Sequence, residues 1–281
     1  MVLRARWNRR SAIKATYWLL AIGYWLLAIG YRLSAIGYRL SAIGYRLSAI
    51  GHSRSALVDN GHQASEIQLM RDGEFFVQEP TVFAFIDEVH SVLARESDIP
   101  KRLASLRWPY QKLLEDKSWL PEEFRQSNPK SGMGGGIASW LLYQNSVKDL
   151  SLFSLVVPPG VTTPIHNHLA WGLVGLYLGE QEEEEFEVEH HDHLPAGAQV
   201  RMNRRFLRVL KPGEFYELIP PYNDVHRVKT ISPEPSISLH LLANDTGCVV
   251  RQKFDLTTGQ VDAFRSGWSN RPCPESVADG Q

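Results

Sequence analysis

Cysteine is scarce in this chain: two residues, Cys248 and Cys273, in 281. With so few there is no disulfide framework to read, and both are expected as reduced thiols of a cytoplasmic protein. Neither sign of charge is in excess, since 30 Lys and Arg stand against 31 Asp and Glu for a formal net charge of −1. A nucleic-acid binder needs a clustered basic surplus, so no nucleic-acid partner is expected. The glycine-rich stretch Ser127–Gly136 lacks the G-K-[ST] ending of a phosphate loop and reads as a flexible connection. Long apolar runs are also missing from the body of the chain. The uncharged stretch Ala15–Tyr31 is at the short end of the roughly 17–25 residues of a spanning helix, and the same unit continues with arginines, so a membrane partner is not expected.

That stretch belongs to a tandem heptapeptide array over residues 17–51, YWLLAIG twice and then YRLSAIG three times. A glycine in every copy and the lack of paired flanking charges oppose a coiled coil. The changes between copies, Trp to Arg and Leu to Ser, each need one nucleotide, which points to duplication at the DNA level. Residues 1–69 are therefore expected outside the enzyme fold, with Met70 as an alternative start.

From Thr81 the pattern becomes helical. Val82, Phe85, Ile86, Val89, Val92 and Leu93 form a stripe at three- and four-residue spacing, with His90 an ordinary member of that helix. A second helix is expected after Asp98-Ile99-Pro100, through Leu103, Leu106, Tyr110, Leu113 and Leu114. Residues 70–136 then make a small helical layer. Beyond it come nine short β-like runs separated by turn residues: 137–144, 150–157, 171–178, 184–190, 204–209, 215–218, 226–230, 237–242 and 249–255. Many short strands with Pro and Gly turns predict a mainly β jelly-roll barrel over 137–268, leaving 269–281 as a tail. The acidic run from Glu182 reads as a solvated edge, and His190, His191 and His193 as a hairpin loop rather than a metal site.

The chemistry concentrates in PGVTTPIHNHLAWGLVGLYLG, Pro159–Gly179. On a strand, His166 and His168 share one face while Ile165 and Asn167 take the other, and imidazoles roughly 6–7 Å apart can converge on one ion. The spacing of Gly160, His166, His168, Gly172 and Gly179 resembles the first signature of the cupins, with Gly172 where many cupins carry a metal-binding glutamate. KPGEFYELIPPYNDVHRV resembles their second signature, with Asn223 in place of the usual glycine, and supplies His226. The resemblance implies a double-stranded β-helix with His166, His168 and His226 as metal ligands. Three neutral ligands leave the +2 charge of an ion uncompensated, which draws anionic ligands to the open positions.

PPGVTTPIHNHLAWGLVGLYLGE and SISLHLL further resemble the thiol dioxygenases, cysteine dioxygenase and 3-mercaptopropionate dioxygenase, over roughly residues 75–268. That resemblance implies Fe(II), a small thiol substrate, O2 as co-substrate and a sulfinic acid product, with Ser238 and His240 as an outer-shell catalytic pair. The chain departs from it at two places. Leu242 replaces the tyrosine of the family's Ser-His-Tyr relay, and with Gly172 in place of cysteine no thioether cofactor can form between those positions. The substrate-anchoring arginine of an early strand is also missing, where WLLYQN stands instead. Tyr143, Gln144 or Arg227 are the substitutes in view, although alternation puts Arg227 opposite His226, and Trp171 is placed at the pocket mouth. A redox-neutral metal-dependent cupin hydrolase or isomerase, and a non-catalytic ligand-binding cupin, are the competing readings.

Overall fold

The computed structural model describes residues 72–189 and 194–274. The described residues belong to one compact unit. The heptapeptide array, with the expectation for residues 1–69, and His190, His191 and His193 lie outside the described residues.

Two helices lie near the start of the described chain, after a two-residue strand at Glu74–Phe75. α1, Pro80–Arg95, buries Val82, Phe85, Ile86, Val89 and Val92, the stripe read from the sequence, and begins with proline in its first turn, where no N–H partner is needed. α2, Ile99–Glu115, starts at Asp98, whose side chain accepts the Lys101 N–H, and buries Leu103, Leu106, Tyr110, Leu113 and Leu114. His90 makes a 2.7 Å hydrogen bond to the Tyr143 hydroxyl. The connection Ser127–Gly136 is closed by turn bonds, including Asn128 N–H to Gly136 O at 2.9 Å, and Gly134, Gly135 and Gly136 all have positive φ. Its glycines therefore serve a specific turn path.

The strands are β1 Glu74–Phe75, β2 Ala138–Gln144, β3 Ser151–Val157, β4 Ile165–His166, β5 Gly172–Leu178, β6 Gln181–Val188, β7 Met202–Leu210, β8 Phe215–Leu218, β9 His226–Thr230, β10 Ser236–Leu242, β11 Arg251–Phe254 and β12 Val261–Phe264. They form two six-stranded antiparallel sheets, ordered β1-β2-β3-β10-β5-β8 and β12-β11-β4-β9-β6-β7. This is the mainly β cupin double-stranded β-helix with an added helical layer.

Why the strands of the first sheet are apolar on both faces follows from what covers each face. Leu152 and Val156 of β3, Leu173 and Tyr177 of β5, and Ile237, Leu239 and Leu241 of β10 pack in the core shared with α1 and α2. Their alternates Phe153, Leu155, Val174, Leu176 and Leu242 fill the barrel interior with Leu141, Tyr216, Val228 and Trp268. Ser238 and His240 share the inward phase of β10 with Leu242. α2 approaches the sheet closely over Gly175, where a Cβ would sit 2.5 Å from Leu114 Cδ1.

Two expectations fail. Cys248 and Cys273 are joined in a disulfide rather than free, so the cytoplasmic placement loses the support it took from reduced thiols. The two residues are 25 apart in sequence, and beside the bridge Gly267 N–H bonds Gly247 O and Trp268 packs over Gly247. The acidic run is not a solvated edge either: Glu183, Glu184 and Glu185 are buried, and β6 lies between β9 and β7 rather than at the margin. Among the described residues, no helix is long and apolar enough to cross a membrane.

Candidate metal centre

β4 is two residues long, and its pairing is what assembles the site. His166 lies directly opposite His226 of β9 and, on its other side, opposite Lys253 of β11. After Asn167, tied to Gln252 through both backbone and side chain, the chain turns at Leu169 with φ 55°. Asp224 holds that turn: its two carboxylate oxygens accept the N–H groups of His168 and Leu169 at 2.8 and 3.1 Å. A leucine in the left-handed region costs on the order of 1 kcal/mol, and the clamp supplies the compensating bonds. The result is that His168 returns to the face of His166 although it lies outside the strand.

The three rings are within a few per cent of full burial, with centroids 4.9, 5.0 and 4.7 Å apart for the pairs 166–168, 166–226 and 168–226. One nitrogen from each lies within 4.8 Å of the others. Which nitrogen is free follows from the opposite edge of each ring. Nδ1 of His166 faces Pro164 O at 2.8 Å, and Nδ1 of His168 faces Asp224 O at 3.1 Å, with the Asp224 Oδ1 at 3.3 Å. Nδ1 of His226 faces Glu183 Oε1 at 2.8 Å and the Tyr216 hydroxyl at 3.1 Å. Each Nδ1–H is thus committed to an oxygen, and each Nε2 lone pair is left for the common centre, the outer-shell pattern of metal-bound histidine. Burial first, and then the neighbouring His and Arg251 charges, hold His166 well below the usual imidazole range. His168 is lowered in the same way, against the opposing pull of Asp224. Neutral imidazoles are the form a metal needs. The donor set fits a divalent ion.

Behind the rings lie two buried carboxylates, Asp224 and Glu183, offset by two guanidinium groups, Arg208 bonded to Glu183 and Arg251 in the wall beside the rings. Burial raises the Glu183 pKa, but the His226 hydrogen bond and the Arg208 guanidinium prevail and bring it to about 2.

Beside the rings is a cavity of about 20 Å³, lined by Met133, Ser139, Phe153, Leu155, His166, His168, His240, Thr246, Arg251 and Ser266. Room for one water is about what that volume offers. His240 stacks on Phe153, with ring centroids 4.6 Å apart, and its Nε2 lies 2.9 Å from Ser238 Oγ. The Ser238 hydroxyl has no other partner among the described residues, so it donates to Nε2 and the ring proton sits on Nδ1. That Nδ1 is buried without a partner.

Arg251 is the residue that sequence reasoning missed. It is 3% exposed, donates from Nη1 to Asn167 O at 2.6 Å and from Nη2 to Ser266 Oγ at 2.9 Å, and its Nε has no partner. No carboxylate of the described residues lies at ion-pair distance from it. Burial lowers its pKa to about 10, opposed by Asp224, which still leaves a guanidinium. Burying a cation without a carboxylate partner costs several kcal/mol, and the Phe264 ring, 4.8 Å from Arg251 Cζ, offsets part of that cost.

The other anticipated substrate contacts are elsewhere. A β-bulge in β2 between Leu141 and Tyr143 reverses the facing of the strand, so Tyr143 packs on the helical side against Phe75 and His90. Gln144 bonds Arg271 at 2.8 Å. Trp171 joins the helix-side core beneath Arg102. Arg227 faces outward and bonds Glu184 at 2.6 Å, as strand alternation requires. None of the four lines the cavity.

No family model matches the chain. Among solved structures it is similar to the DMSP lyase DddQ from Ruegeria pomeroyi DSS-3, 18% identical over 60% of this chain and 93% of that one, with TM-score 0.31. It is also similar to an uncharacterized protein with a double-stranded β-helix domain from Klebsiella pneumoniae, 18% identical over 46% and 87%, TM-score 0.30. An oxalate oxidase matches at 15% identity over 47% and 61%, TM-score 0.33. Likeness at this level transfers neither substrate nor activity. The class is defined by the chain's own features: a cupin barrel whose three buried histidines are able to hold a metal ion.

Proposed function

We propose that this protein is an Fe(II)-dependent thiol dioxygenase acting on a small mercapto-carboxylate, with 3-mercaptopropionate favoured over cysteine. The observation that carries this reading is Arg251, a buried guanidinium with a free Nε–H in the wall shared with His166, His168 and His240. Thiolate and carboxylate at the two ends of a short chain match a metal and a guanidinium in one cavity. No carboxylate lines the cavity to receive an ammonium group, which disfavours cysteine and cysteamine. The reaction adds both oxygen atoms to sulfur, R–SH + O2 → R–SO2H, and the four electrons that dioxygen takes come from that sulfur, so no further reductant is consumed.

Iron held by His166, His168 and His226 supplies the redox chemistry. The protein supplies placement: Arg251 receives the carboxylate, Ser266 and Asn167 keep its guanidinium aimed, and Phe153 and Leu155 form the apolar side of the cavity wall. His240 presents an N–H fixed by Ser238, taking a hydrogen bond directly to the cavity without the phenol that Leu242 has replaced. The cavity is smaller than the ligand, so binding displaces part of its wall. Met133, flexible and unbranched, is the wall residue that moves at least cost.

The test is oxygen uptake after anaerobic Fe(II) loading, with 3-mercaptopropionate, cysteine and cysteamine as substrates and metal analysis alongside. Uptake matched one-to-one by sulfinate is expected. Losing a buried charged hydrogen bond is worth about 1.5–3 kcal/mol, so Arg251→Ala is expected to raise KM for 3-mercaptopropionate by about 10- to 100-fold and to leave the slow reaction of cysteamine unchanged. Uptake unaltered in His226→Ala, or turnover of other substrates with zinc and no oxygen, removes this reading.

A further inference from the structure

We infer that Glu183 is a positioning residue for His226, fixing that ring toward the metal centre and making it the most strongly donating of the three imidazoles. This rests on reading His166, His168 and His226 as a metal site.

The contrast among the three rings is the starting point. His166 gives its Nδ1–H to the Pro164 carbonyl, and His168 gives its own to the Asp224 carbonyl at 3.1 Å, with the Asp224 carboxylate farther off at 3.3 Å. His226 gives its own to a carboxylate. A carboxylate acceptor makes the opposite nitrogen a better donor than a carbonyl does, and such outer-shell partners tune metal affinity by roughly 10- to 100-fold.

Glu183 is itself held on every side. It stands on β6 opposite Val228 of β9 and Arg208 of β7, with 1% exposure. One oxygen takes the His226 Nδ1–H at 2.8 Å and the other takes the Arg208 Nε–H at 2.8 Å. Arg208 is fixed in turn across the ring of Tyr216, 3.8 Å from its centroid, and the Tyr216 hydroxyl closes the circuit at His226. A ring tied at Nδ1 to an anchored carboxylate cannot rotate its Nε2 away from the centre. Replacing a buried ion pair of this kind by apolar groups is often neutral or stabilising, so stability alone gives little reason for it.

The experiment is Co(II) titration of the metal-free full-length protein, followed by its visible ligand-field absorption, in wild type, Glu183→Gln, Glu183→Ala and His226→Ala, with thermal midpoints recorded for each. Glu183→Gln keeps an acceptor for Nδ1 but loses the charge. It is expected to weaken Co(II) binding about threefold or more and to displace the absorption band. Glu183→Ala is expected to weaken binding at least tenfold. Should Glu183→Ala fail to fold with Arg208 unpaired, Glu183→Gln decides the question alone. Affinity within twofold of wild type and an unshifted band in Glu183→Gln, with binding abolished in His226→Ala, overturns the inference while leaving the metal site intact. Equal binding by wild type and His226→Ala overturns the metal-site reading itself, and this inference with it.

Discussion

At Gly172 the neighbouring strand leaves no space for a side chain. A Cβ there would lie 1.9 Å from the Leu241 carbonyl oxygen and 2.6 Å from Leu242 Cδ2. The sequence shows the glycine as a departure from the glutamate of many cupins, but the reason is steric and belongs to the β5–β10 pairing, where Gly172 faces Leu242. Gly172→Ala is therefore expected to destabilise the protein by about 1–3 kcal/mol through a forced shift of β10, read as a lower urea midpoint. A midpoint equal to wild type contradicts this account. The same scale explains what could not be read in advance. Arg251 sits in a short polar run, and only the register that sets Lys253 opposite His166 reveals that Arg251, two residues earlier, shares the phase of the imidazole. Glu183 was hidden by its neighbours, since four consecutive glutamates look like surface until β7 and β9 are known to flank them.

Elements were legible where periodicity and punctuation agreed. α1 and α2 begin within a residue or two of their sequence signals, and strands 215–218 and 226–230 coincide with β8 and β9. The Asp98 cap is one such signal. Asp98→Ala is expected to lower stability by about 1 kcal/mol with no change in Co(II) affinity, measurable by thermal unfolding and metal titration together. What periodicity does not carry is a change of phase. The bulge in β2 moves Tyr143 to the helical side, and nothing in WLLYQN announces it. β4 is too short to show any period, and His168 reaches the site through a turn held by a distant aspartate, so the H-x-H face was right in outcome but not in mechanism. β1, β12 and the 3₁₀ turn Glu122–Arg125 escaped notice because each is only two to four residues long, too short to show a period.

On the scale of the whole molecule, the site makes the metal-free fold sensitive to acid. His166, His168 and His240 are all buried with pKa values below the usual 6.5, first because burial disfavours the charged form and then because their imidazole neighbours and Arg251 repel a further proton. In the unfolded chain these groups regain ordinary values. Below pH 6.5 the unfolded chain then binds more protons than the folded one, so stability is full above that pH and is lost as the pH falls toward the folded-state values. Three such groups give a limiting slope of about 4 kcal/mol per pH unit, against a total stability on the order of 5–15 kcal/mol. Urea midpoints of the metal-free protein are expected to fall steeply between pH 7.5 and 5.5, and the slope to be about one third shallower in His240→Gln. Glu183 and Asp224 add to the loss only at lower pH, below the ordinary carboxylate range, because their folded pKa values are depressed. A midpoint that stays flat from pH 7.5 to 5.5 means that the rings are not buried as neutral groups, and the case for free Nε2 lone pairs on His166 and His168 goes with it.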